Sequence, residues 1–360
     1  MSNTHSLKIS DIRQETKDAM SVCFDVPDAL KADFEFKQGQ YLSVTREFDE
    51  EELQRSYSIC SAVQDNELRI AIKKVDGGRF STFAHEGLTV GDELKVSPPA
   101  GRFHAELDPN AKKNYVAFAA GSGITPVIST IKTTLLYEPN STFILFYGNK
   151  TARDVIFLEE LEGLKNSFMT RFRVFHVFSR QEMDAPLLNG RLDSDKTKAL
   201  CDAFLDVSSI DNFFLCGPGT MVRDVRQALM DQGTEARSIK IELFGQSKEA
   251  KAAYEERRKK LAAGNPGDTQ VTIVNGGRRM SFPLGQDGTS VLDGAMNAGA
   301  DLPFACKGGV CCTCKAKLTE GEVDMAVNYG LEQDELDAGF ILTCQAQPTT
   351  DKITVDFDQK

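Results

Sequence analysis

Short segments in which apolar and polar residues alternate dominate the first part of the chain. Leu7–Ile12 and Ser21–Val26 predict strands, and in Leu68–Lys74 the strongly apolar residues recur at every second position. Turn-forming residues separate such segments up to about Leu107. This pattern predicts a small antiparallel β-barrel over residues 1–107.

From residue 108 onward, compact apolar runs alternate with segments of helical periodicity. The predicted strands are Tyr115–Ala120, Phe143–Tyr147, Arg173–Phe178, Phe213–Cys216 and Ile239–Phe244, and the predicted helices are Val127–Leu136 and Met221–Met230. Apolar strands that alternate with helices are typical of a parallel sheet covered on both faces. Residues 108–245 are therefore predicted to form an α/β domain.

A charged segment separates this region from the last part of the chain. Residues 246–268 hold six Lys or Arg and four Asp or Glu, which predicts a solvated, partly helical linker. Beyond it, Val271–Val274 and Arg279–Pro283 predict a hairpin, Ser290–Gly299 a helix and Ile353–Phe357 a strand. We therefore predict a third, mixed domain over residues 269–360.

Length and charge limit the classes of function. A chain of 360 residues is expected to form two or three domains. The net charge is −11 and no basic stripe is present, so nucleic-acid binding is not expected. No apolar run approaches the roughly 18 residues of a membrane span, and the first residues lack the apolar core of a signal peptide. The expected location is the cytoplasm, with no membrane partner.

Acidic residues concentrate in one segment near the end of the chain. Glu320–Asp337 contains seven Asp or Glu and no Lys or Arg. A solvated face is the ordinary interpretation of such a segment. The alternative is a docking surface for a basic redox partner, because opposite charges speed encounter between proteins.

Four cysteines carry the clearest chemical signal. Cys306, Cys311 and Cys314 have the spacing C-x₄-C-x₂-C, and Cys344 follows in a separate segment. This spacing is typical of plant-type 2Fe–2S centres. A structural zinc site and disulfides are the alternatives, but zinc sites usually combine two short-spaced pairs and disulfides suit secreted chains. We expect a 2Fe–2S cluster on these four cysteines, with neighbouring Cys312 a bystander thiol.

Two further motifs suit a flavin and a dinucleotide. Gly121-Ser122-Gly123-Ile124-Thr125-Pro126 lies between a predicted strand and a predicted helix, where glycines permit a tight turn and the helix N-terminus favours a pyrophosphate. Together with Arg55-Ser56-Tyr57-Ser58 in the predicted barrel, it resembles the motifs of the ferredoxin–NADP reductase superfamily. The resemblance implies that Arg55 binds the FAD pyrophosphate, that Tyr57 lies against the isoalloxazine ring, and that Ser58 hydrogen-bonds near flavin N5, where the hydride arrives.

The same resemblance assigns further residues to cofactors. A second flavin segment is formed by Gly78, Ser81 and Thr82, and the dinucleotide loop by Gly121, Gly123, Thr125 and Pro126. A further segment, with Cys216 and Gly217, lies beside the nicotinamide, and Cys216 is expected near the carbon that donates hydride. Glu242 is expected near the flavin and Phe244 over its ring, where plant-type relatives have Tyr. Ser179 and Arg180 lie where the family binds the adenosine ribose, and a hydroxyl with a guanidinium there suits a 2′-phosphate, hence NADPH rather than NADH.

The order of a flavin barrel, a dinucleotide domain and a C-terminal ferredoxin domain resembles the reductase components of multicomponent oxygenases, particularly the phenylacetyl-CoA epoxidase type. The resemblance implies a β-grasp fold for residues 269–360 and electron flow from NADPH to FAD, to 2Fe–2S and to a terminal oxygenase. Reductases of steroid 9α-hydroxylases and of hybrid cluster protein share this order and remain alternatives. The alternatives outside this class are a simple electron carrier and a zinc-stapled interaction protein.

Overall fold

The chain folds into two compact units, and the boundary between them along the sequence follows Phe244. The structure is a computed structural model, and it describes residues 4–49, 51–244, 268–285, 288–304, 307–309, 312–328, 330–331 and 333–359. The predicted linker at 246–268 lies outside the described residues except for its last position, and Cys306 and Cys311 also lie outside them.

The first half of the first unit is a six-stranded antiparallel barrel, as predicted. Its elements are β1 (His5–Thr16), β2 (Ala19–Asp25), β3 (Tyr41–Phe48), β4 (Glu51–Ser58), β5 (Leu68–Lys73), helix α1 (Arg79–Gly87) and β6 (Glu93–Val96). The strands are hydrogen-bonded in the order β4-β3-β6-β1-β2-β5, and a bridge between Ile59 and Ile70 joins the two edges. Closure removes the exposed strand edges that an open sheet would leave.

The second half is a five-stranded parallel sheet with helices between its strands. Its elements are β7 (Asn114–Ala120), α2 (Ile124–Tyr137), β8 (Thr142–Asn149), α3 (Leu158–Ser167), β9 (Phe172–Phe178), α4 (Ser194–Phe204), β10 (Asn212–Gly217), α5 (Gly219–Asp231) and β11 (Ile239–Leu243). All five predicted strands and both predicted helices are present, and α3 and α4 are additional. The strand order β11-β10-β7-β8-β9 reverses between β7 and β10, and ligands of such sheets bind beyond the strand ends at this point.

One hydrophobic core joins the barrel to the parallel sheet. The Phe103 ring, at the end of the barrel sequence, packs edge-on against Phe214 of β10 with ring centroids 5.4 Å apart. Lys132 of α2 also forms ion pairs with Asp65 of the barrel half and with Glu160 of α3, each at 2.5 Å. Apolar packing and ion pairs thus fix the barrel against the sheet. The flavin motifs of the barrel and the nucleotide motifs of the sheet are therefore held in a fixed position relative to each other.

The second unit is a mixed sheet crossed by a helix, which is the predicted β-grasp arrangement. Its elements are β12 (Asp268–Asn275), β13 (Arg278–Gly285), α6 (Val291–Asn297), β14 (Lys315–Glu320), β15 (Val323–Met325), α7 (Gln333–Asp337), β16 (Phe340–Leu342), β17 (Ala346–Pro348) and β18 (Lys352–Asp356). Five strands follow the order β13-β12-β18-β14-β16, with β12 and β18 parallel, and β15 pairs with β17. Val291, Leu292 and Ala295 of α6 are buried against the sheet, as their helical spacing predicts.

Among the helices that the structure describes, none combines the length and hydropathy needed to cross a membrane.

Candidate functional site

The motif Arg55-Ser56-Tyr57-Ser58 forms the second half of β4, which pairs with β3. Because strand side chains alternate between faces, Arg55 and Tyr57 lie on one face and Ser56 and Ser58 on the other. The Tyr57 ring packs toward the barrel core, 5.7 Å from the Phe80 ring, and burial raises its pKa above the usual value. Tyr57 is therefore a neutral aromatic surface, as the predicted stacking role requires.

Ser58 is the point at which the barrel meets the last strand of the parallel sheet. Its side chain is buried, and its hydroxyl donates a hydrogen bond to Glu242 Oε1 at 3.2 Å. Glu242 lies on β11 beside Cys216 of β10 in the parallel register. Ser58, Cys216 and Glu242, the three predicted catalytic residues, are thus brought together from three different strands.

The Cys216 thiol is shielded from water. It is fully buried, and burial together with the nearby Glu242 carboxylate raises its pKa well above the usual value. A thiol in this state is not an activated nucleophile. Its environment agrees with the predicted positioning role and argues against covalent chemistry.

The two glycine loops at the switch point interlock. A Cβ at Gly123 would lie 2.1 Å from the carbonyl oxygen of Cys216, and a Cβ at Gly217 would lie 3.2 Å from the Ala120 nitrogen. Gly121 has a φ of +54°, and its carbonyl accepts a hydrogen bond from Tyr147 Oη at 2.9 Å. These contacts hold the loop after β7 against the loop after β10.

The loop after β7 leads directly into α2. Thr125 Oγ1 donates to the Ser122 carbonyl at 3.1 Å, which ties the loop to the first turn. Pro126 also lies in that first turn, where a missing N–H removes no intrahelical hydrogen bond. The start of a helix favours anions, so this loop and the first turn of α2 have the features of a pyrophosphate site.

The second flavin segment forms the start of α1, whose N-cap residue is Gly78. The Ser81 hydroxyl accepts from the Val75 N–H at 3.1 Å and donates to the Gly78 carbonyl at 3.3 Å, and the Thr82 N–H also donates to Gly78 at 3.0 Å. The Ser81 hydroxyl therefore shapes this loop. The N–H groups of the first turn of α1 are the donors that face outward from such a helix start.

Ser179 and Arg180 directly follow β9, next to the end of β8. The Ser179 N–H donates to the Asn149 carbonyl at 3.0 Å, and the Arg180 N–H donates to the Lys150 carbonyl at 2.9 Å. The side chains of Arg180 and Lys150 are both exposed at this edge of the sheet. Two cations therefore stand at the predicted ribose position, where the local sequence indicates only Arg180.

Lys73 is a candidate binding residue that the motifs did not reveal. It ends β5 of the barrel, yet its Nζ lies 3.6 Å from where a Cβ of Gly121 would be, beside the dinucleotide loop. Burial and the nearby Lys150 lower the pKa of Lys73. No local pattern signals this contact, because it depends on how the barrel packs against the sheet.

In the second unit, the structure describes two of the four predicted cluster ligands, Cys314 and Cys344. Both are 3% exposed, and the segments that carry them are tied together by Thr343, whose Oγ1 donates to the Cys314 carbonyl at 2.9 Å. Gly309 belongs to the cysteine-rich loop, by which we mean the sequence segment from Cys306 to Cys314. Its φ is +75°, and a Cβ there would lie 2.9 Å from the Val327 carbonyl oxygen. Buried thiols beside a loop that only glycine can form fit an iron–sulfur cluster.

Comparisons with known families cover all three regions. Residues 6–105 match the oxidoreductase FAD-binding domain, residues 118–227 the oxidoreductase NAD-binding domain, and residues 273–349 the 2Fe-2S iron–sulfur cluster binding domain.

Two curated relatives align along the whole chain. One component of the 1,2-phenylacetyl-CoA epoxidase of Escherichia coli K12 is 40% identical over 361 residues, which cover 100% of this chain and 99% of the relative. The ferredoxin reductase component of the 3-ketosteroid-9-alpha-monooxygenase of Rhodococcus rhodochrous is 30% identical, over 98% of this chain and 96% of the relative.

The fold is also similar to a solved structure. Phthalate dioxygenase reductase, described as a modular structure for electron transfer from pyridine nucleotides to [2Fe-2S], superposes with a TM-score of 0.59 at 22% identity and covers 99% of this chain and 98% of the other.

Proposed function

The chain belongs to the family of NAD(P)H-dependent oxygenase reductases with FAD-binding, NAD-binding and 2Fe–2S domains, and from this premise we propose that it carries electrons from NADPH to the oxygenase of a phenylacetyl-CoA epoxidase. The observation that carries the proposal is the meeting of Ser58, Glu242 and Cys216 at the switch point of the sheet. Flavin and nicotinamide must meet for hydride transfer, and the residues assigned to each meet there.

The barrel residues bind and orient the flavin. FAD, when bound, takes up two electrons as hydride and passes them on singly, which a nicotinamide and a 2Fe–2S cluster cannot do for each other. Arg55 and the start of α1 hold the pyrophosphate, and the Tyr57 ring stacks against the isoalloxazine. Ser56 lies between them in the same strand motif. Ser58, fixed by its hydrogen bond to Glu242, presents its hydroxyl at the reacting edge of the flavin.

The residues of the parallel sheet bind and orient the nicotinamide dinucleotide. Gly121, Gly123, Thr125 and Pro126 form the pyrophosphate loop, and Lys73 adds a cation from the barrel side. Cys216 and Gly217 shape the surface beside the nicotinamide, with a thiol that burial keeps neutral. Phe244, which is 37% exposed directly after β11, is proposed to cover the flavin ring.

The cluster is assigned to Cys306, Cys311, Cys314 and Cys344. Thiolates are the ligands that 2Fe–2S clusters require, and the burial of Cys314 and Cys344 supports the assignment. The exposed carboxylates Glu322, Asp334 and Asp337 of the same unit support its use as a docking surface for a protein partner.

NADPH is proposed as the donor because Arg180 and Lys150 expose two cations beside Ser179. An Arg180→Ala variant should raise KM for NADPH roughly 10- to 100-fold, because a hydrogen bond to a charged group contributes about 1.5–3 kcal/mol. KM for NADH should change less than about threefold. Steady-state kinetics with both donors measures the difference. Arg173→Ala, which removes an exposed arginine from β9, the strand that precedes Arg180, is the matched control. Equal losses for both donors would contradict the NADPH assignment.

Reconstitution tests the proposed partner. The purified protein is mixed with NADPH, phenylacetyl-CoA and the oxygenase components of a phenylacetyl-CoA epoxidase, and epoxide formation is followed together with NADPH consumption. We expect coupled turnover that requires all components. Coupled turnover only with a 3-ketosteroid 9α-monooxygenase oxygenase and its steroid would assign the protein to that second group, whose reductase is 30% identical to this chain.

A further inference from the structure

The residue after the fourth predicted ligand, Gln345, has a buried side chain that reaches back to the cysteine-rich loop. Gln345 is 1% exposed. Its Nε2 donates to the Lys307 carbonyl at 2.9 Å and lies 3.5 Å from the Sγ of Cys344. One amide nitrogen thus touches both the loop that begins after Cys306 and the sulfur of Cys344.

The surroundings of Gln345 determine which way its amide points. A backbone carbonyl and a thiolate sulfur are both acceptors, so the NH₂ group must face them. The Oε1 atom then points into protein, where it has no hydrogen-bond partner among the described residues. A buried acceptor without a partner is costly, so this arrangement needs a compensating contribution from the NH₂ side.

The loop itself is shaped around the glutamine. A Cβ at Gly309 would lie 3.1 Å from Gln345 Cγ. Lys307 adopts a φ of +47°, a conformation that lysine keeps only when its surroundings hold it. The hydrogen bond from Gln345 to the Lys307 carbonyl is one such restraint.

We propose that Gln345 is a positioning residue for the 2Fe–2S cluster and raises its reduction potential by donating an N–H to the Cys344 sulfur. The inference rests on the proposed function, because it requires a cluster on Cys344. Reduction adds one negative charge to the cluster, and a donor aimed at a ligand sulfur stabilises that charge. The same side chain, through its hydrogen bond to the Lys307 carbonyl, restrains the loop at residues 307–309.

The test compares Gln345→Leu with Gln347→Leu in the full-length holoprotein. Gln347 is also buried and donates to a loop carbonyl, that of Gly288, at 2.7 Å, so it controls for the loss of a buried amide. Potentials are measured by spectroelectrochemical titration of the cluster absorbance. In Gln345→Leu the reduction equilibrium should shift about tenfold toward the oxidised form, which is about 59 mV for one electron. Gln347→Leu should match the wild type.

An unchanged potential in Gln345→Leu, or an equal shift in Gln347→Leu, would overturn the inference alone. If Gln345→Leu does not assemble a cluster, Gln345→Met is measured instead, because methionine is unbranched, similar in length, uncharged and without an N–H donor; a potential at or above that of the wild type then overturns the inference. Wild-type protein without iron and sulfide would instead overturn the proposed function.

Discussion

A Cys314→Ser variant is expected to keep reduction of its flavin by NADPH and to lose reduction of cytochrome c through the cluster by about 100-fold or more. Cys314 is buried in the second unit, and all residues assigned to flavin and nucleotide belong to the first. Removing one of four thiolates disables the cluster, whereas hydride transfer to the flavin needs only the first unit. Anaerobic stopped-flow absorbance follows flavin bleaching, and a cytochrome c assay follows single-electron exit.

The adjacent thiol gives a matched control. Cys312 lies in the same loop, is half-buried and falls outside the C-x₄-C-x₂-C spacing, so Cys312→Ser should retain cluster colour and cytochrome c reduction. If Cys312→Ser loses the cluster and Cys314→Ser keeps it, the ligand set is wrong. If cytochrome c reduction survives in Cys314→Ser, the order of electron transfer is wrong.

A Gly123→Ala variant should bind flavin normally and lose most of its reduction by NADPH. The added methyl would lie 2.1 Å from the carbonyl oxygen of Cys216 and 2.8 Å from the Gly217 nitrogen. Both are backbone atoms, so no side-chain rotation relieves the overlap, and the two loops must separate. Displacements of about 1 Å at a reacting centre can cost about 100-fold, and we expect kcat/KM for NADPH to fall by at least that factor.

Gly163→Ala controls for the extra methyl. Gly163 lies in α3 of the same sheet domain, and a Cβ there would meet nothing within 4 Å, so activity should remain at the wild-type level. Flavin absorbance reports the state of the barrel in both variants. Wild-type reduction rates in Gly123→Ala would show that the contact between the two loops does not position the nicotinamide.

The predictability of the fold follows the strength of the local pattern. The apolar runs that became β7, β8 and β10 are buried at nearly every position, so their strand character was evident from composition. Helix α3 was missed because Leu161 is its only fully buried residue and Gly163 interrupts its pattern. Helix α4 had a usable signal, since Asp193 caps it by accepting from the Lys196 N–H at 2.9 Å.

The site residues divide in the same way. The candidate cysteines and glycine loops could be picked out because spacing and turn chemistry are local properties of the sequence. The hydrogen bond between Ser58 and Glu242 joins residues 184 positions apart, and the approach of Lys73 to Gly121 depends on packing of the barrel against the sheet. Gln345 follows a ligand cysteine directly, but nothing in its neighbours indicates that its side chain turns back to the Lys307 carbonyl. Such contacts are properties of the fold, not of any window of sequence.

The shared core beneath Phe103 and Phe214 has a consequence for recombining this protein with its relatives. A chimera spliced near residue 107 would join two surfaces shaped by different ancestors, and mismatched rings there would leave voids or overlaps. A crossover after Phe244 keeps each of the two compact units whole, because the chain divides into them at that point. Chimeras that exchange the second unit after Phe244 should therefore fold, whereas chimeras spliced near residue 107 should not.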